Sequence, residues 1–171
     1  MMHTISILVD NDPGILARIT GLFSAREFNV ESLCVAKTLD PTISRIVLVT
    51  SGHDWLLDQV VLRLRAMTNV MDVQVLTEIA HIDREMVLVR VKTTEETKAE
   101  ILRMVDTFRA NVIEAGPESY LIELTGDKNK VNSFLEFLKP MEIKEISRTG
   151  IVAMPKETQN YTETRKKRIY V

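Results

Sequence analysis

The order of apolar patterns along this 171-residue sequence predicts an α+β protein built from two tandem βαββαβ units. Short runs rich in Val and Ile, typical of strands, alternate with segments whose apolar residues recur at helical spacing. The order strand, helix, strand, strand, helix, strand occurs once before residue 78 and again after residue 84. Each unit is expected to form an antiparallel sheet with both helices on one face, the ferredoxin-like arrangement.

The first unit is expected to span residues 1–77. Its strands are predicted at residues 3–9, 30–38, 43–51 and 70–77, and its helices at residues 15–26 and 55–67. Ile15, Ile19, Leu22 and Phe23 give the first helix one apolar face that can cover the sheet. Residues 39–42, Leu-Asp-Pro-Thr, are typical of a hairpin turn between the second and third strands.

The second unit, residues 85–154, repeats this pattern. Strands are predicted at residues 85–91, 111–115, 120–125 and 143–147. One helix is expected to begin at Thr94, because Glu95 and Glu96 would lie in its first turn, where the helix dipole favours negative charge. The other is expected to follow Gly126 and Asp127, with Asp127 as the capping residue.

Two segments fall outside this pattern. Residues 78–84 break the strand periodicity without Gly or Pro, so they are expected to form a short linker that couples the two domains closely. Residues 155–171 lose apolar periodicity and become polar, which predicts a frayed tail. The concentrated basic run of the chain, residues 165–168, lies in this tail and is interpreted as solvated.

Composition argues against several classes of partner. A formal net charge of −2 and an aromatic content of 5% do not favour binding to nucleic acid. The single cysteine, Cys34, cannot form an intrachain disulfide and suits a reducing compartment. With no leader pattern and no apolar segment near the ~20 residues that cross a bilayer, we expect a cytoplasmic protein without membrane contact.

The sequence contains no pattern of residues that is typical of a catalytic site. The three histidines, His3, His53 and His81, are scattered, and a single cysteine does not complete a zinc site with them. Six glycines form neither a phosphate-binding loop nor a dinucleotide-binding fingerprint. We therefore expect no catalytic residues and no bound metal in this chain.

The stretch at residues 10–14, Asp-Asn-Asp-Pro-Gly, lies between the first strand and the first helix. Asn11 and Asp12 offer side-chain oxygens to helix N–H groups, Pro13 presets φ, and Gly14 tolerates positive φ. This chemistry makes a good turn, and an ordinary turn is one interpretation. The other is an anion site, since free N–H groups at a helix start attract a carboxylate.

Three blocks carry a resemblance to a known family: Asn-Asp-Pro-Gly-Ile-Leu-Ala-Arg-Ile at 11–19, Asn-Val-Glu-Ser-Leu at 29–33 and Asp-Pro-Thr-Ile-Ser-Arg at 40–45. With them the sequence resembles the small regulatory subunit of acetolactate synthase, and its first half resembles an ACT domain. The second half resembles the C-terminal domain of the same subunits through residues 84–89, 108–109 and 147–150. The resemblance covers about residues 1–154.

This resemblance implies a subunit without an active site that serves branched-chain amino-acid biosynthesis, the route to valine, leucine and isoleucine. Such a subunit binds a separate catalytic large subunit, raises its activity and makes it sensitive to feedback inhibition by valine. Thiamine diphosphate, Mg²⁺ and FAD are expected in that partner. The alternative left open is a stand-alone ACT-type amino-acid sensor acting on another enzyme or regulator.

The resemblance also implies a homodimer whose ACT sheets join edge to edge, with the effector between them. The residues expected to contact it are Asn11, Asp12, Pro13, Gly14, Ile15 and Leu16 of one protomer with Asn29 and Val30 of the other. In this interpretation, the N–H groups of residues 14–16 receive the carboxylate, and the side-chain oxygen of Asn11 accepts from the ammonium group.

Overall fold

The computed structural model describes residues 1–25 and 28–157. These residues form two units, one made of residues 1–82 and the segment that begins at Ile151, the other of residues 83–150. In each unit a set of four strands runs in the order of a split βαβ arrangement, so the predicted α+β class with two ferredoxin-like repeats is confirmed.

The first unit follows the predicted order of elements. These are β1 (Met2–Asp10), α1 (Ile15–Ser24), β2 (Asn29–Lys37), β3 (Ile43–Ser51), α2 (Asp54–Arg65), β4 (Val70–Val75) and a short 3-10 helix (Leu76–Glu78). Its sheet has the order β2-β3-β1-β4, and every neighbouring pair is antiparallel. The strands β2 and β4 are therefore its two edges.

Both helices pack on one face of this sheet. Ile15, Ile19 and Phe23 of α1 are buried, as their spacing predicts. They join a core with residues of α2 and of the strands, among them Leu57, Val60, Leu64, Ile5, Ile7, Ile46 and Leu48. Removal of these side chains from water is the main source of the unit's stability.

The second unit repeats the arrangement. Its elements are β5 (His81–Lys92), α3 (Lys98–Phe108), β6 (Asn111–Ala115), β7 (Ser119–Gly126), α4 (Lys128–Leu138), a 3-10 turn (Lys139–Met141) and β8 (Ile143–Arg148), with strand order β6-β7-β5-β8. Asp127 caps α4 as predicted, because its side chain accepts from the Lys130 N–H at 2.8 Å. Helix α3 begins later than predicted, since Thr94 and Thr97 bond to each other in a preceding turn.

The domain boundaries differ from those expected. Residues 78–84 are not a linker, because β5 already begins at His81 and continues to Lys92. Residues 151–154, expected at the end of the second domain, include most of β9 (Val152–Pro155), a strand that pairs with β5 but is grouped with the first unit. Ile151 and Ala153 are buried there against Val47, Val49 and Leu76. Of the expected tail 155–171, residues 158–171 lie outside the described residues.

Candidate functional site

The turn before α1 is built around the backbone of Gly14. Its φ of 79° lies in the left-handed region, which glycine adopts without a Cβ penalty. No side chain caps the helix, so the expected capping by Asn11 or Asp12 is not what the structure contains. Instead the backbone carbonyl of Asp12 accepts from the Ile15 N–H at 3.3 Å.

This backbone arrangement leaves N–H donors exposed at the start of α1. Among the described residues, no acceptor takes a hydrogen bond from the N–H of Gly14, Leu16 or Ala17, whereas Ile15 uses its N–H within the turn. Gly14, Leu16 and Ala17 are solvent-exposed, while the Ile15 side chain is 5% exposed and packs in the core. The positive end of the helix dipole adds to these donors, so the turn can hold a carboxylate. Ala17 was not among the expected residues, although its N–H, in the first turn of α1, also lacks an intrahelical acceptor.

The side chain of Asn11 is engaged with the hairpin between β2 and β3. Its Nδ2 donates to the carbonyl of Pro41 at 3.0 Å, and its Oδ1 accepts from the Ser44 hydroxyl at 3.0 Å. Its backbone N–H also donates to the carbonyl of Thr42 at 2.7 Å. Asn11 therefore joins the turn to the hairpin, and one lone pair of its oxygen is already used.

The hairpin is itself closed by hydrogen bonds around Asp40. The Thr42 hydroxyl and N–H donate to Asp40 Oδ1 at 2.6 and 2.9 Å. The bond from the Thr42 hydroxyl, and then that from its N–H, lowers the pKa of the Asp40 carboxyl. Because folding lowers this pKa, the ionised Asp40 carboxylate stabilises the folded state. This stabilisation is fully present at neutral pH and is lost as the pH falls through the lowered pKa.

Asn29 lies at the first residue of β2, next to Val30, which is half-buried. Its side-chain Nδ2 donates to Glu31 Oε1 at 2.7 Å, and its carbonyl accepts from the Thr50 hydroxyl at 2.7 Å. The strand register shifts between Val30 and Ser32, so β2 has a bulge at this point. The exposed amide of Asn29 is thus held in place by its own strand neighbours.

The strand register places the two groups of expected site residues at opposite ends of the sheet. Asn29 pairs with Ser51, which in turn pairs with Met2, the first residue of β1. The turn follows Asp10, the last residue of β1. At about 3.3 Å per residue, β1 spans roughly 26 Å. One protomer therefore does not bring Asn29 and Val30 to the turn.

The described residues contain no group of three or more His, Cys, Asp or Glu side chains positioned to hold a metal ion. None of the helices in this part of the chain has the length and hydropathy needed to span a bilayer. Cys34 is a free thiol on β2 and is half-buried.

Comparison with known proteins defines the family of both halves. Residues 5–72 match the AHAS small subunit-like ACT domain, and residues 84–157 match the small subunit of acetolactate synthase. The chain is 41% identical over 154 residues to a probable acetolactate synthase small subunit of Archaeoglobus fulgidus, covering 90% of this chain and 96% of that one. The chain belongs to the acetolactate synthase small-subunit family.

Other members of this family are similar over most of their length. The acetolactate synthase small subunit of Aquifex aeolicus is 40% identical over 156 residues, 91% of this chain and 81% of that protein. The crystal structure of the small subunit from Thermotoga maritima superposes with a TM-score of 0.84 at 35% identity, covering 92% of this chain and 99% of that one. The resemblance drawn from the sequence motifs is thus confirmed.

In this small subunit, the block at 147–150 serves the structure of the second unit. The Arg148 guanidinium binds the Glu85 carboxylate with both arms, Nε to Oε1 at 2.8 Å and Nη2 to Oε2 at 2.6 Å. Glu85 is 4% exposed, and the hydrogen bond to it raises the pKa of Arg148. Nη2 of Arg148 also donates to Oδ1 of Asn132 on α4 at 3.3 Å. This ion pair is therefore a candidate structural lock rather than part of an effector site.

Proposed function

We propose that this chain is the regulatory subunit of acetolactate synthase, which activates the catalytic large subunit and confers feedback inhibition by valine. The effector would bind at the interface of an ACT homodimer. The observation that carries this proposal is the pair of half-sites: the exposed donors of Gly14, Leu16 and Ala17 at one end of the sheet, and Asn29 at the other end.

Pairing of two β2 edges would unite these half-sites. In the described part of the chain, no strand pairs with the outer edge of β2. Lys37, the last residue of β2, pairs with Ser44, which pairs with Val9 near the turn. An antiparallel, two-fold pairing of β2 with its copy sets Asn29 of one chain near Lys37 of the other. The partner's Asn29 then reaches the end of the sheet where α1 begins.

The chemistry of the turn supports an amino acid as the effector. A carboxylate would accept from the N–H groups of Leu16 and Ala17, with Gly14 close by. The remaining lone pair of Asn11 Oδ1 is left for an ammonium group. Leu16, whose side chain is 37% exposed, and half-buried Val30 offer apolar surface to a branched side chain. Since the Ile15 side chain packs in the core, it does not narrow this pocket.

In this proposal the chemistry belongs to the catalytic partner, which would hold thiamine diphosphate, Mg²⁺ and FAD. The small subunit would act only by binding that partner differently in its valine-free and valine-bound states. We place the complex in the cytoplasm, a compartment that suits a chain whose one cysteine is free.

The central prediction concerns turnover of pyruvate. The catalytic subunit with thiamine diphosphate, Mg²⁺ and FAD is expected to turn over faster when this chain is added, and more slowly again as valine is titrated in. This chain alone is expected to produce no acetolactate. The assay compares the partner alone, this chain alone and both together across the valine titration.

Each outcome of this assay has a defined meaning. Product formed by this chain alone would contradict a purely regulatory role. If adding this chain leaves pyruvate turnover by the catalytic subunit unchanged while calorimetry shows that the chain binds valine, the stand-alone sensor would be favoured instead.

A second prediction tests the β2 interface. Val35 is 42% exposed on β2, and Val35→Glu would bring two like charges to a two-fold interface while removing apolar surface. We expect the dimer dissociation constant, measured by analytical ultracentrifugation, to rise at least about tenfold, which corresponds to about 1.4 kcal/mol. The matched control is Leu62→Glu on α2, where Leu62 is 60% exposed and away from β2. Equal dimer affinity in the Val35 variant and in wild type would rule out this edge.

A further inference from the structure

The segment at residues 151–154, which we call the C-terminal strap, packs against the first unit. Its Ile151 is 7% exposed and its Ala153 3% exposed, and both belong to one buried apolar cluster with Val47, Val49 and Leu76. Because side chains alternate along β3, Val47 and Val49 lie on the face opposite the helices, away from the core residues Ile46 and Leu48. Just beyond the strap, the Lys156 N–H donates to the carbonyl of Ala80 at 2.8 Å.

The strap is attached to the strand that carries half of the proposed effector site. The Ile151 N–H donates to the hydroxyl oxygen of Ser32 at 2.9 Å. Ser32 lies on β2, two residues after Val30 and next to the bulge in that strand. Since one residue separates Val30 from Ser32, a change in the backbone conformation at Asn29 and Val30 is expected to alter the position of Ser32.

The residues that precede the strap are anchored equally closely to the second unit. The Thr149 N–H donates to the Met86 carbonyl at 3.1 Å, and the Met86 N–H donates to the Thr149 hydroxyl at 3.1 Å. Gly150, with a φ of 78°, is the one residue between this anchor and Ile151. Because Gly150 alone separates Ile151 from Thr149, their Cα atoms can lie no more than about 7 Å apart, so a displacement of the strap beyond that limit would also move Thr149.

We propose that Ser32 is a positioning residue that couples the effector site to the second unit through the C-terminal strap. The inference rests on the proposed valine site. Valine held by Asn29 and Val30 stabilises the start of β2 and so the closed bond from Ile151 to Ser32, because opening of that strand would release both. The effect of valine binding is then transmitted along the strap to Thr149, which is hydrogen-bonded to Met86.

Hydrogen exchange of the full-length dimer tests this coupling directly. Saturating valine is expected to slow exchange of the Ile151 N–H about tenfold in wild type, measured by NMR or by mass spectrometry of peptides covering 151–156. Ser32→Ala is expected to speed that exchange roughly fivefold, the effect of losing one hydrogen bond, and to remove its valine dependence. Ser32→Thr, which keeps the hydroxyl, is expected to restore both.

A functional readout separates coupling from a merely structural role. Ser32→Ala is expected to bind valine in calorimetry within about threefold of wild type, yet to reduce valine inhibition of the catalytic partner at least about fivefold. The matched control is Ser6→Ala, which removes a hydroxyl that accepts from Arg45 Nη1 and makes no bond to the strap. That control is expected to keep the valine response.

The outcomes distinguish this proposal from the one on which it rests. Absence of calorimetric valine binding in wild type would refute the effector site, and with it a valine-driven strap. Two results would refute the coupling through the strap without refuting the effector site. One is valine binding that leaves hydrogen exchange at residues 151–156 unchanged, and the other is full valine inhibition of the catalytic partner in the presence of the Ser32→Ala variant.

Discussion

Replacing Gly14 with aspartate is expected to weaken valine binding by at least about a hundredfold and to make the catalytic partner resistant to valine. The new carboxylate would lie beside the donors of Leu16 and Ala17, where the ligand carboxylate has to bind. Two like charges roughly 5 Å apart at an effective dielectric constant near 20 repel by about 3 kcal/mol, which is more than a hundredfold. Calorimetric titration with valine measures the loss.

The variant is expected to remain folded, because a Cβ at Gly14 meets no atom within 4 Å. The left-handed φ of 79° adds strain of about 1 kcal/mol for a residue with a side chain, and Asp is among those that tolerate it best. Gly14→Asn is the matched control, since it has the same shape and strain without the charge. Its loss of affinity is expected to be clearly smaller. Equal affinity of the Asp variant and wild type would place the effector site elsewhere.

Replacing Arg148 with methionine is expected to destabilise the second unit by about 3 kcal/mol. The change leaves the Glu85 carboxylate, which is 4% exposed, buried without its ion partner. Losing one partner of a buried pair costs roughly 3–5 kcal/mol, and the lower end applies because the Arg148 side chain is 38% exposed to water. Urea unfolding followed by circular dichroism measures the loss.

A second variant tests whether the loss comes from the unpaired charge of Glu85, which is 4% exposed. The double variant Glu85→Gln with Arg148→Met is expected to recover part of the stability, since no charge is then buried. Lys92→Met is the control: it breaks the exposed pair with Glu142 and is expected to have little effect. A similarly small effect at Arg148 would show that the pair is not a structural lock.

Local chemistry in the sequence was enough to predict α1 to α4 and β1 to β8, but not β9, the two 3-10 helices or the starts of β5 and α3. The spacing of Ile15, Ile19 and Phe23 predicted the buried face of α1, and Asp127 predicted the start of α4. Gly14 was expected to tolerate positive φ, which is the conformation it has. These properties depend on residues within a few positions of one another, where period, caps and turn preferences act.

Which polar groups are hydrogen-bonded and which remain free depends on the tertiary fold. Asn11 was expected to accept from the ammonium group of a ligand; the hairpin brings Pro41 to its Nδ2 and Ser44 to its Oδ1, which leaves one lone pair of that oxygen for the ligand. The Ile15 N–H bonds to the Asp12 carbonyl, so the donors that remain free among residues 14–17 are those of Gly14, Leu16 and Ala17. A polar side chain forms hydrogen bonds with the groups that the fold brings close to it, and its neighbours in the sequence do not predict those partners.

The same holds for the C-terminal strap. Its four residues are too few for a periodic signal, and by position in the sequence they follow the last strand of the second unit. They pack instead on the first unit, because Val47, Val49 and Leu76 form an apolar surface on the face that the helices leave uncovered. The free energy gained by burying apolar surface is proportional to the buried area and does not depend on how far apart the residues lie in the sequence. The two repeats and the turn therefore follow from local patterns of residues, while long-range burial dictates where residues 151–154 bind.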